Sequence, residues 1–300
     1  MSPERLILGT RGSALAWAQS SAFAAALEAR HPGLKVELKK ILTSGDRIQD
    51  RFLSEVGGKG LFVKEIEEGL LREEVDLAVH SLKDVPAELA PGLEIAIYPQ
   101  RLDSEDVLIA ASRKSLAELP PRARVGTSSL RRRLQLARLR PDLSFELLRG
   151  NIDTRLRKLD EGAFDAIVLA KAGLRRLGVD LSRAVDLPIV AAPGQGTLAI
   201  EARAGDRRVK DLLAPLHHGP TETVSLAERR VMKALGGGCH LPLGVYGEIR
   251  GDRMKLKAFL AEPDGSRWVE EEVDGAAAEW DKVADELLRL MEKARGVPLQ

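Results

Sequence analysis

Short apolar runs alternate with longer helical stretches along the first two thirds of the chain. Leu6 to Gly9 form one such run, and the turn Thr10-Arg11-Gly12-Ser13 leads into an alanine-rich segment that predicts a helix from about Ala14 to Arg30. Val36 to Leu42 and Val75 to His80 predict two further strands. Strands that alternate with helices are typical of βαβ units, so the pattern predicts an α/β fold with a mainly parallel sheet.

The same order of elements recurs further along the chain. Arg124 to Gly126 and Phe145 to Leu148 predict strands that are each followed by a helix, and Asp165 to Ala170 predict a third strand. That third strand begins Asp-Ala-Ile-Val, which resembles the Asp-Leu-Ala-Val of residues 76–79 and indicates a weak internal repeat. Thr197 to Ala202 predict a strand that returns to the sheet of the first half.

The last third of the chain has a different pattern. Residues 212–220 contain two prolines and two histidines and predict a linker. A helix from about Thr221 to Leu235, three strand-like runs and a final helix from about Ala276 to Arg295 predict a small αβββα domain. The predicted domains are residues 1–98 with 195–215, residues 99–194, and residues 216–300.

Composition narrows the class of protein. The 300 residues are 44% hydrophobic and 30% charged, with a net charge of +1. This balance is ordinary for a globular protein and argues against the overall basic excess of many nucleic-acid-binding proteins, although local arginine clusters remain. The single cysteine, Cys239, excludes an intrachain disulfide framework and fits a reducing compartment. The sequence shows neither a signal segment nor an apolar run near the ~20 residues of a membrane span, so we expect a cytoplasmic protein without membrane association. The alternative is a mature organelle protein whose transit peptide has been removed, which would have the same features.

The positions of five arginines carry the strongest chemical signal. Arg11 lies at a strand-to-helix turn, Arg131 and Arg132 lie in the first turn of a predicted helix, and Arg149 and Arg155 flank the start of another. A helix N-terminus disfavours a cation by a few tenths to about 1 kcal/mol, but its N–H groups attract an anion. A solvated surface ion pair is the common explanation for any one such arginine. Five of them at equivalent strand ends favour a site for a polyanion, because open α/β sheets bind ligands at that edge.

Other polar residues fall at the same predicted edge. Ser13, Ser128 and Ser129 either cap the helices or bind the same anion. Lys83 and Asp84 directly follow a predicted strand. An aspartate among cations ionises readily, and it then stabilises a positive charge on a substrate or moves a proton. The alternative for Lys83 and Asp84 is a local ion pair before a proline turn.

Two glycine-rich segments indicate loops that expose a reactive side chain or move over a site. Cys239 follows three glycines, and such a loop lets its side chain reach a neighbouring cleft at little steric cost. A lone thiol is more often a small buried hydrophobe, and no spacing resembles a zinc site, so we expect no metal. Gly57-Gly58-Lys59-Gly60 lacks the spacing of a nucleotide-binding loop. The charged segment from Ser44 to Lys59, which includes Asp46, predicts a mobile cover over the cleft.

Six segments resemble the hydroxymethylbilane synthase family, whose members are also called porphobilinogen deaminases. They occur in the family's order and span most of the chain. The segments are Thr10 to Ala16, Gly57 to Phe62, His80 to Pro86, Val125 to Arg132, Leu148 to Leu156, and Gly237 to Cys239. Each segment is modestly specific, and the six together leave little room for chance.

The resemblance implies a fold and a reaction. The fold would be two lobes shaped like type-2 periplasmic binding proteins, with a cleft between them and a small third domain. A dipyrromethane cofactor would be joined by a thioether to Cys239. Four porphobilinogen molecules would be added in sequence with loss of ammonia, and the linear tetrapyrrole hydroxymethylbilane would be released by hydrolysis. The resemblance also implies a monomer that works in haem and tetrapyrrole biosynthesis.

The resemblance further assigns roles to individual residues, and the acetate and propionate groups of each pyrrole match the predicted polyanion site. Asp84 would be the catalytic residue, since it would face the pyrrole nitrogens and stabilise an azafulvene-like cation. The cofactor would contact Lys83, Asp84, Thr127, Ser128, Ser129, Arg131, Arg132, Gly150 and Arg155. The incoming substrate and growing chain would contact Arg11, Ser13, Gln19, Arg149 and Arg155. Asp46 and Lys59 would belong to the mobile loop.

Two other functions compete with this interpretation. A non-catalytic carboxylate-binding protein of the periplasmic type would have similar lobes and arginines, but the missing secretion signal and the third domain that carries a thiol argue against it. The run Arg131-Arg132-Arg133 also suggests a nucleic-acid contact. No aromatic platform accompanies the run, so we expect no nucleic-acid binding.

Overall fold

The computed structural model describes residues 4–44, 63–236 and 241–296. Contacts within the chain define two compact units. The first unit contains residues 1–102 and 197–222, and the second unit contains residues 103–196 and 223–300.

The first unit is built around one mixed five-stranded sheet. Its elements are β1 (Arg5–Arg11), α1 (Ala14–Arg30), β2 (Lys35–Ile41), α2 (Lys64–Leu71), β3 (Leu77–Ser81), β4 (Leu93–Ile97), β10 (Leu198–Arg203) and α6 (Arg207–Leu213). The strand order is β2-β1-β3-β10-β4. β1 runs parallel to β2 and β3, and β10 runs antiparallel to β3 and β4. Buried apolar side chains of β1, α1 and β10, among them Leu8, Leu27 and Ile200, form its core.

The second unit contains a five-stranded sheet of the same design. Its elements up to residue 196 are β5 (Asp106–Ala110), β6 (Arg124–Gly126), α3 (Leu130–Leu139), β7 (Ser144–Glu146), α4 (Ile152–Asp160), β8 (Ala166–Ala170), α5 (Lys171–Arg176) and β9 (Ala184–Asp186). The order is β7-β6-β8-β5-β9. β6 runs parallel to β7 and β8, and β5 runs antiparallel to β8 and β9.

A third, antiparallel sheet completes the second unit. Its elements are α7 (Gly219–Ala234), whose first residues belong to the first unit, β11 (Leu243–Arg250), β12 (Arg253–Leu260), β13 (Val269–Ala276) and α8 (Trp280–Arg295). The strand order is β11-β12-β13. Apolar residues spaced along α7 and α8, such as Val231 and Leu287, pack with Leu256 of β12. The order is αβββα, as predicted.

The internal repeat is confirmed in two respects: the strand order, and one side-chain hydrogen bond that both five-stranded sheets contain. Asp76 precedes β3, and its Oδ2 accepts a hydrogen bond of 2.7 Å from the N–H of Ile7 in β1. Asp165 precedes β8, and its Oδ2 accepts a hydrogen bond of 2.7 Å from the N–H of Arg124 in β6. In both sheets, therefore, the aspartate before the central strand accepts a hydrogen bond from the start of the parallel neighbouring strand.

The predicted α/β class, with two sheet-bearing lobes and a small αβββα part, is confirmed. The mainly parallel sheet is wrong in detail, because two of the four strand pairings in each described five-stranded sheet are antiparallel. The predicted linker at residues 212–220 is also partly wrong. Helix α7 already begins at Gly219, because a proline such as Pro220 is tolerated in a first turn, where its missing N–H has no partner to lose.

Candidate active site

In the first unit, one edge of the sheet brings together the predicted polar residues. β1 and β3 are parallel neighbours, so their carboxyl ends lie at the same edge. Arg11 is the last residue of β1, and Lys83 and Asp84 lie in the short 3₁₀ turn after β3. Ser13 caps α1, since its Oγ accepts a hydrogen bond of 3.3 Å from the N–H of Ala16. Arg11 and Lys83 are half-buried, and Asp84 is exposed.

Gln19 links α1 to this edge. It is buried, and its Nε2 donates a hydrogen bond of 3.1 Å to Oγ of Ser81, the last residue of β3. Ser81 precedes Lys83 by two residues and Asp84 by three, so this hydrogen bond holds Gln19 near both of them. The side-chain amide of Gln19 already binds a group of the protein.

A buried acid–base pair lies behind the same strand. His80 Nε2 is 2.9 Å from Glu201 Oε2, and both side chains are almost fully buried. Burial raises the pKa of the nearby Glu67 carboxyl, and the charge of Glu201 adds to this shift. The pair joins β3 to β10, so both side chains serve a contact within the sheet.

In the second unit, the first turn of α3 delivers two arginines to one buried carboxylate. Arg132 contacts Asp106 Oδ1 through Nη2 at 2.7 Å and Nε at 2.9 Å. Arg131 Nη1 lies 2.8 Å from Asp106 Oδ2, in an ion pair without hydrogen-bond alignment. All three side chains are less than 10% exposed. The predicted alternative of solvated surface pairs therefore does not describe these two arginines.

Electrostatics in this cluster favour a bound anion. Burial lowers the pKa of Arg131, the charge of Asp106 opposes this shift, and the charge of Arg132 adds to it. Burial, followed by the charge of Arg132, lowers the pKa of Arg155 to about 10. Two guanidinium groups thus share one carboxylate, with the charge of Arg155 nearby, and organic acids would relieve the unbalanced positive charge.

The hydroxyl groups before α3 take part in its cap. Ser129 Oγ accepts a hydrogen bond of 3.4 Å from the N–H of Arg132, and Thr127 Oγ1 accepts one of 3.2 Å from the N–H of Ser129. Ser128 is exposed between them. The carboxyl end of β6 leads directly into this turn, so Arg131 and Arg132 begin at the same edge of the sheet as these hydroxyl groups.

The turn before α4 positions the remaining arginines. Gly150 has φ +110°, a backbone conformation that a residue with a side chain rarely adopts. Asn151 then caps α4, because its side chain accepts a hydrogen bond of 2.9 Å from the N–H of Thr154. Arg155 Nε reaches back and donates to the Gly150 carbonyl oxygen at 2.8 Å. Arg149 and Arg155 are both half-buried beside this turn.

Three polar residues of the second unit were missed by the sequence interpretation. Asp106 opens a buried apolar run, as Asp76 and Asp165 also do, and that parallel was the available signal. Gln195 is buried and donates from Nε2 to Asp106 Oδ1 at 3.1 Å. Arg176, at the end of α5, donates to the Gly196 carbonyl oxygen at 2.7 Å, and burial lowers its pKa to about 10.

Three predicted site residues lie outside the described residues: Cys239, Asp46 and Lys59. The described residues contain no cluster of His, Asp or Glu that would hold a metal ion. Within the same part of the chain, no helix is both long enough and apolar enough to cross a membrane.

Known proteins are similar in sequence to this chain over most of its length. Residues 6–211 match the family model described as porphobilinogen deaminase, dipyromethane cofactor binding domain, and residues 223–292 match the porphobilinogen deaminase C-terminal domain. The porphobilinogen deaminase of Sorangium cellulosum is 53% identical over 88% of this chain and 89% of its own length. That of Syntrophobacter fumaroxidans is 49% identical over 92% of this chain and 90% of its own length.

Solved structures with a similar backbone are more distant. A lipoprotein of the YaeC family from Enterococcus faecalis is 15% identical, with a TM-score of 0.43, over 75% of this chain and 97% of that one. YhfZ from Shigella flexneri is 19% identical, with a TM-score of 0.37, over 75% of this chain and 94% of that one. Likenesses at this level give no information on function.

The family matches confirm three predictions: an enzyme, its class as a deaminating transferase of tetrapyrrole biosynthesis, and dipyrromethane as its cofactor. Both family models and relatives near half identity cover most of the sequence, and the chain belongs to the porphobilinogen deaminase family.

Proposed function

We propose that this chain joins four porphobilinogen molecules head to tail on a dipyrromethane primer held by a thioether at Cys239. Each addition releases ammonia, and hydrolysis releases hydroxymethylbilane. A thiol suits the anchor, because a soft nucleophile captures a methylene electrophile on a pyrrole ring.

The single observation that carries the proposal is the cluster of Arg131, Arg132 and Arg155. Burying the Arg131 and Arg132 guanidinium groups beside one carboxylate, with the positive charge of half-buried Arg155 nearby, is unfavourable unless further anions arrive. Each pyrrole of the primer brings an acetate and a propionate, and guanidinium groups bind carboxylates through two parallel hydrogen bonds. The residues present therefore fit the dipyrromethane group.

We assign the remaining site residues by the same chemistry. The primer contacts Lys83, Asp84, Thr127, Ser128, Ser129, Arg131, Arg132, Gly150 and Arg155. The incoming porphobilinogen and the growing chain contact Arg11, Ser13, Gln19, Arg149 and Arg155. Asp46 and Lys59 belong to a loop that covers the reacting groups.

Asp84 is the proposed catalytic residue. Its carboxylate is exposed at the end of β3, where an incoming ligand reaches it. When the aminomethyl group of porphobilinogen loses ammonia, the carbon–nitrogen bond breaks with its electron pair on nitrogen, and positive charge spreads over the pyrrole. The Asp84 carboxylate stabilises that charge and accepts a hydrogen bond from the pyrrole N–H. When bound, the dipyrromethane group supplies the pyrrole carbon to which the first substrate is joined.

The domain division and the setting of the enzyme also belong to the proposal. We propose three domains, formed by residues 1–98 with 195–215, residues 99–194, and residues 216–300. The chain acts as a monomer in the cytoplasm, with porphobilinogen as its small-molecule partner and without nucleic acid or membrane.

Mass spectrometry of the purified protein tests the proposal directly. We expect an excess over the polypeptide mass equal to one dipyrromethane, located on the peptide that contains Cys239, and a coloured reaction with Ehrlich's reagent. Incubation with porphobilinogen should add further pyrrole units to the same peptide. An active preparation with the unmodified polypeptide mass would contradict the covalent primer.

A further inference from the structure

We infer that Asp106 is a positioning residue, whose carboxylate orients the Arg131 and Arg132 guanidinium groups toward the primer. The inference rests on the proposed function, since it takes these two arginines to be the residues that bind primer carboxylates. Asp106 itself is fully buried and acts through the arginines.

The sheet topology explains how Asp106 reaches the site. It is the first residue of β5, and it pairs with Ala170, the last residue of β8. Since β5 is antiparallel to β8, its first residue lies at the edge where the parallel strands end. The helices that follow those strands begin at the same edge, so a side chain at the start of β5 meets the first turn of α3.

The contacts hold each guanidinium group at more than one point. Arg132 uses Nε and Nη2 on Asp106, while its Nη1 donates to the Val168 carbonyl oxygen at 3.1 Å. Arg131 uses Nη1 on Asp106 and on the Val190 carbonyl oxygen, at 2.8 Å and 2.6 Å. Planar groups fixed in this way have little rotational freedom left, so their remaining N–H groups are ordered before a ligand binds.

Asp106 is in turn held by a second side chain. Gln195 Nε2 donates to Asp106 Oδ1 at 3.1 Å and to the Ser104 carbonyl oxygen at 2.7 Å. Val190 is fixed by Gln135, whose side chain accepts from its N–H at 2.7 Å and donates to its carbonyl oxygen at 3.1 Å. The arginines therefore sit in a network whose members constrain one another.

The first unit shows that the lobe fold itself does not need this carboxylate. There the strand equivalent to β5 is β10, which begins with Leu198 paired to Ser81, the last residue of β3. The position equivalent to Asp106 is thus apolar. The buried carboxylate of Asp106 in the second unit is therefore explained by its contacts with Arg131 and Arg132, and not by a need of the sheet.

The balance of charges also indicates that Asp106 orients the two guanidinium groups and does not neutralise them. One carboxylate faces two guanidinium groups, so a positive charge remains on the pair, and the nearby Arg155 adds another. Asp106 thereby keeps Arg131 and Arg132 in place while leaving charge for the carboxylates of the primer.

The test compares Asp106→Asn with Asp103→Asn as the matched control. Asp103 lies three residues earlier and also pairs with cations, Arg175 at 3.0 Å and Lys171 at 3.6 Å, but in the described part of the chain it forms no ion pair with Arg131 or Arg132. For each protein, the mass spectrum gives the fraction of chains that carry the primer. Steady-state rates with porphobilinogen then give KM, and kcat per primer-carrying chain.

We expect Asp106→Asn to lower kcat per primer-carrying chain about 10- to 100-fold, the range known for partners that orient ligating side chains in metal sites. KM for porphobilinogen should change less, because Arg131 and Arg132 hold the primer rather than the incoming substrate. Asp103→Asn should behave as the unaltered chain. A purely structural role would change the loaded fraction but leave kcat per loaded chain intact, and that result would overturn the inference.

A double-mutant cycle isolates the route through Arg132. If Asp106 acts partly by orienting this arginine, Asp106→Asn should lower the rate less in Arg132→Gln than in the unaltered chain, and the remaining loss passes through Arg131. Independent, multiplying defects would overturn the inference. The Asp106→Asn/Arg132→Gln protein removes one negative and one positive charge, so the comparison with Arg132→Gln stands even if Asp106→Asn alone fails to fold. If the unaltered chain lacks primer and turnover, the proposed function fails first, which is a distinguishable result.

Discussion

Replacing Gly150 with alanine tests whether the turn before α4 sets both stability and activity. The backbone at Gly150 has φ +110°, and a residue with a side chain pays about 1–3 kcal/mol in such a region. The added Cβ would lie 2.7 Å from Thr154 Cγ2, and a clash of this kind typically costs about 1–3 kcal/mol. Thr154 cannot simply move away, since its N–H is held by the Asn151 cap. We expect Gly150→Ala to lower the free energy of unfolding by about 2–6 kcal/mol, the sum of the two costs.

Gly162→Ala is the matched control in the same sheet-bearing part of the chain. Gly162 also has a positive φ, +76°, but nothing lies within 4 Å of the added Cβ. Only backbone strain remains, so the expected cost is about 1 kcal/mol after the lower entropy of the unfolded alanine chain is counted. Urea denaturation followed by circular dichroism measures both values.

Activity should separate the two variants further. The Gly150 carbonyl accepts the Arg155 side chain, so a displaced turn moves a residue that we place on both primer and substrate. A misplacement of about 1 Å can cost about 100-fold in rate. We expect kcat/KM to fall at least tenfold in Gly150→Ala and to stay near normal in Gly162→Ala, both measured where the proteins are folded. Equal stability of the two variants, or full activity of Gly150→Ala, would refute the reasoning.

Three further outcomes are expected. Asp84→Asn should keep the primer by mass yet lose nearly all turnover, because the amide keeps the shape and removes the charge; normal turnover would end the catalytic role. Cys239→Ala should yield an inactive protein without primer and with a lower Tm, since the arginines lose their bound anion and repel one another; primer attached elsewhere would contradict the anchor. Asp165 has a pKa held below its usual range by the Arg124 side chain. Its stabilising effect should be present above pH ~4 and disappear as the pH falls further, so urea denaturation of Asp165→Asn and the unaltered chain should converge in acid.

Local sequence signals were sufficient for much of the fold. Helix α1 runs from Ala14 to Arg30 as predicted, because Ser13 supplies a cap and the alanine-rich segment has high helix propensity. The caps at Ser129 and Asn151 likewise place the arginines at helix starts. These features depend on residues only a few positions apart.

Strand direction and buried ion pairs depend on residues distant in sequence, and those predictions were incomplete. An apolar run such as that of β5 is compatible with a parallel and with an antiparallel neighbour. The mixed sheet therefore could not be deduced from this run. Asp106 lies 25 residues before the nearer of its arginines, and no local pattern links them. The set of arginines was predicted from their positions at helix starts, but their burial could not be.

The strand order of the first unit has a consequence for synthesis of the chain. β10 lies between β3 and β4, yet the ribosome makes it only after all five strands of the second unit's mixed sheet, β5 to β9, have been made. Until β10 is made, β3 and β4 lack the strand that pairs with both of them, and their apolar residues lack its cover. The later-made sheet can therefore form first, and the earlier one must wait in a partly open state that invites aggregation or chaperone binding.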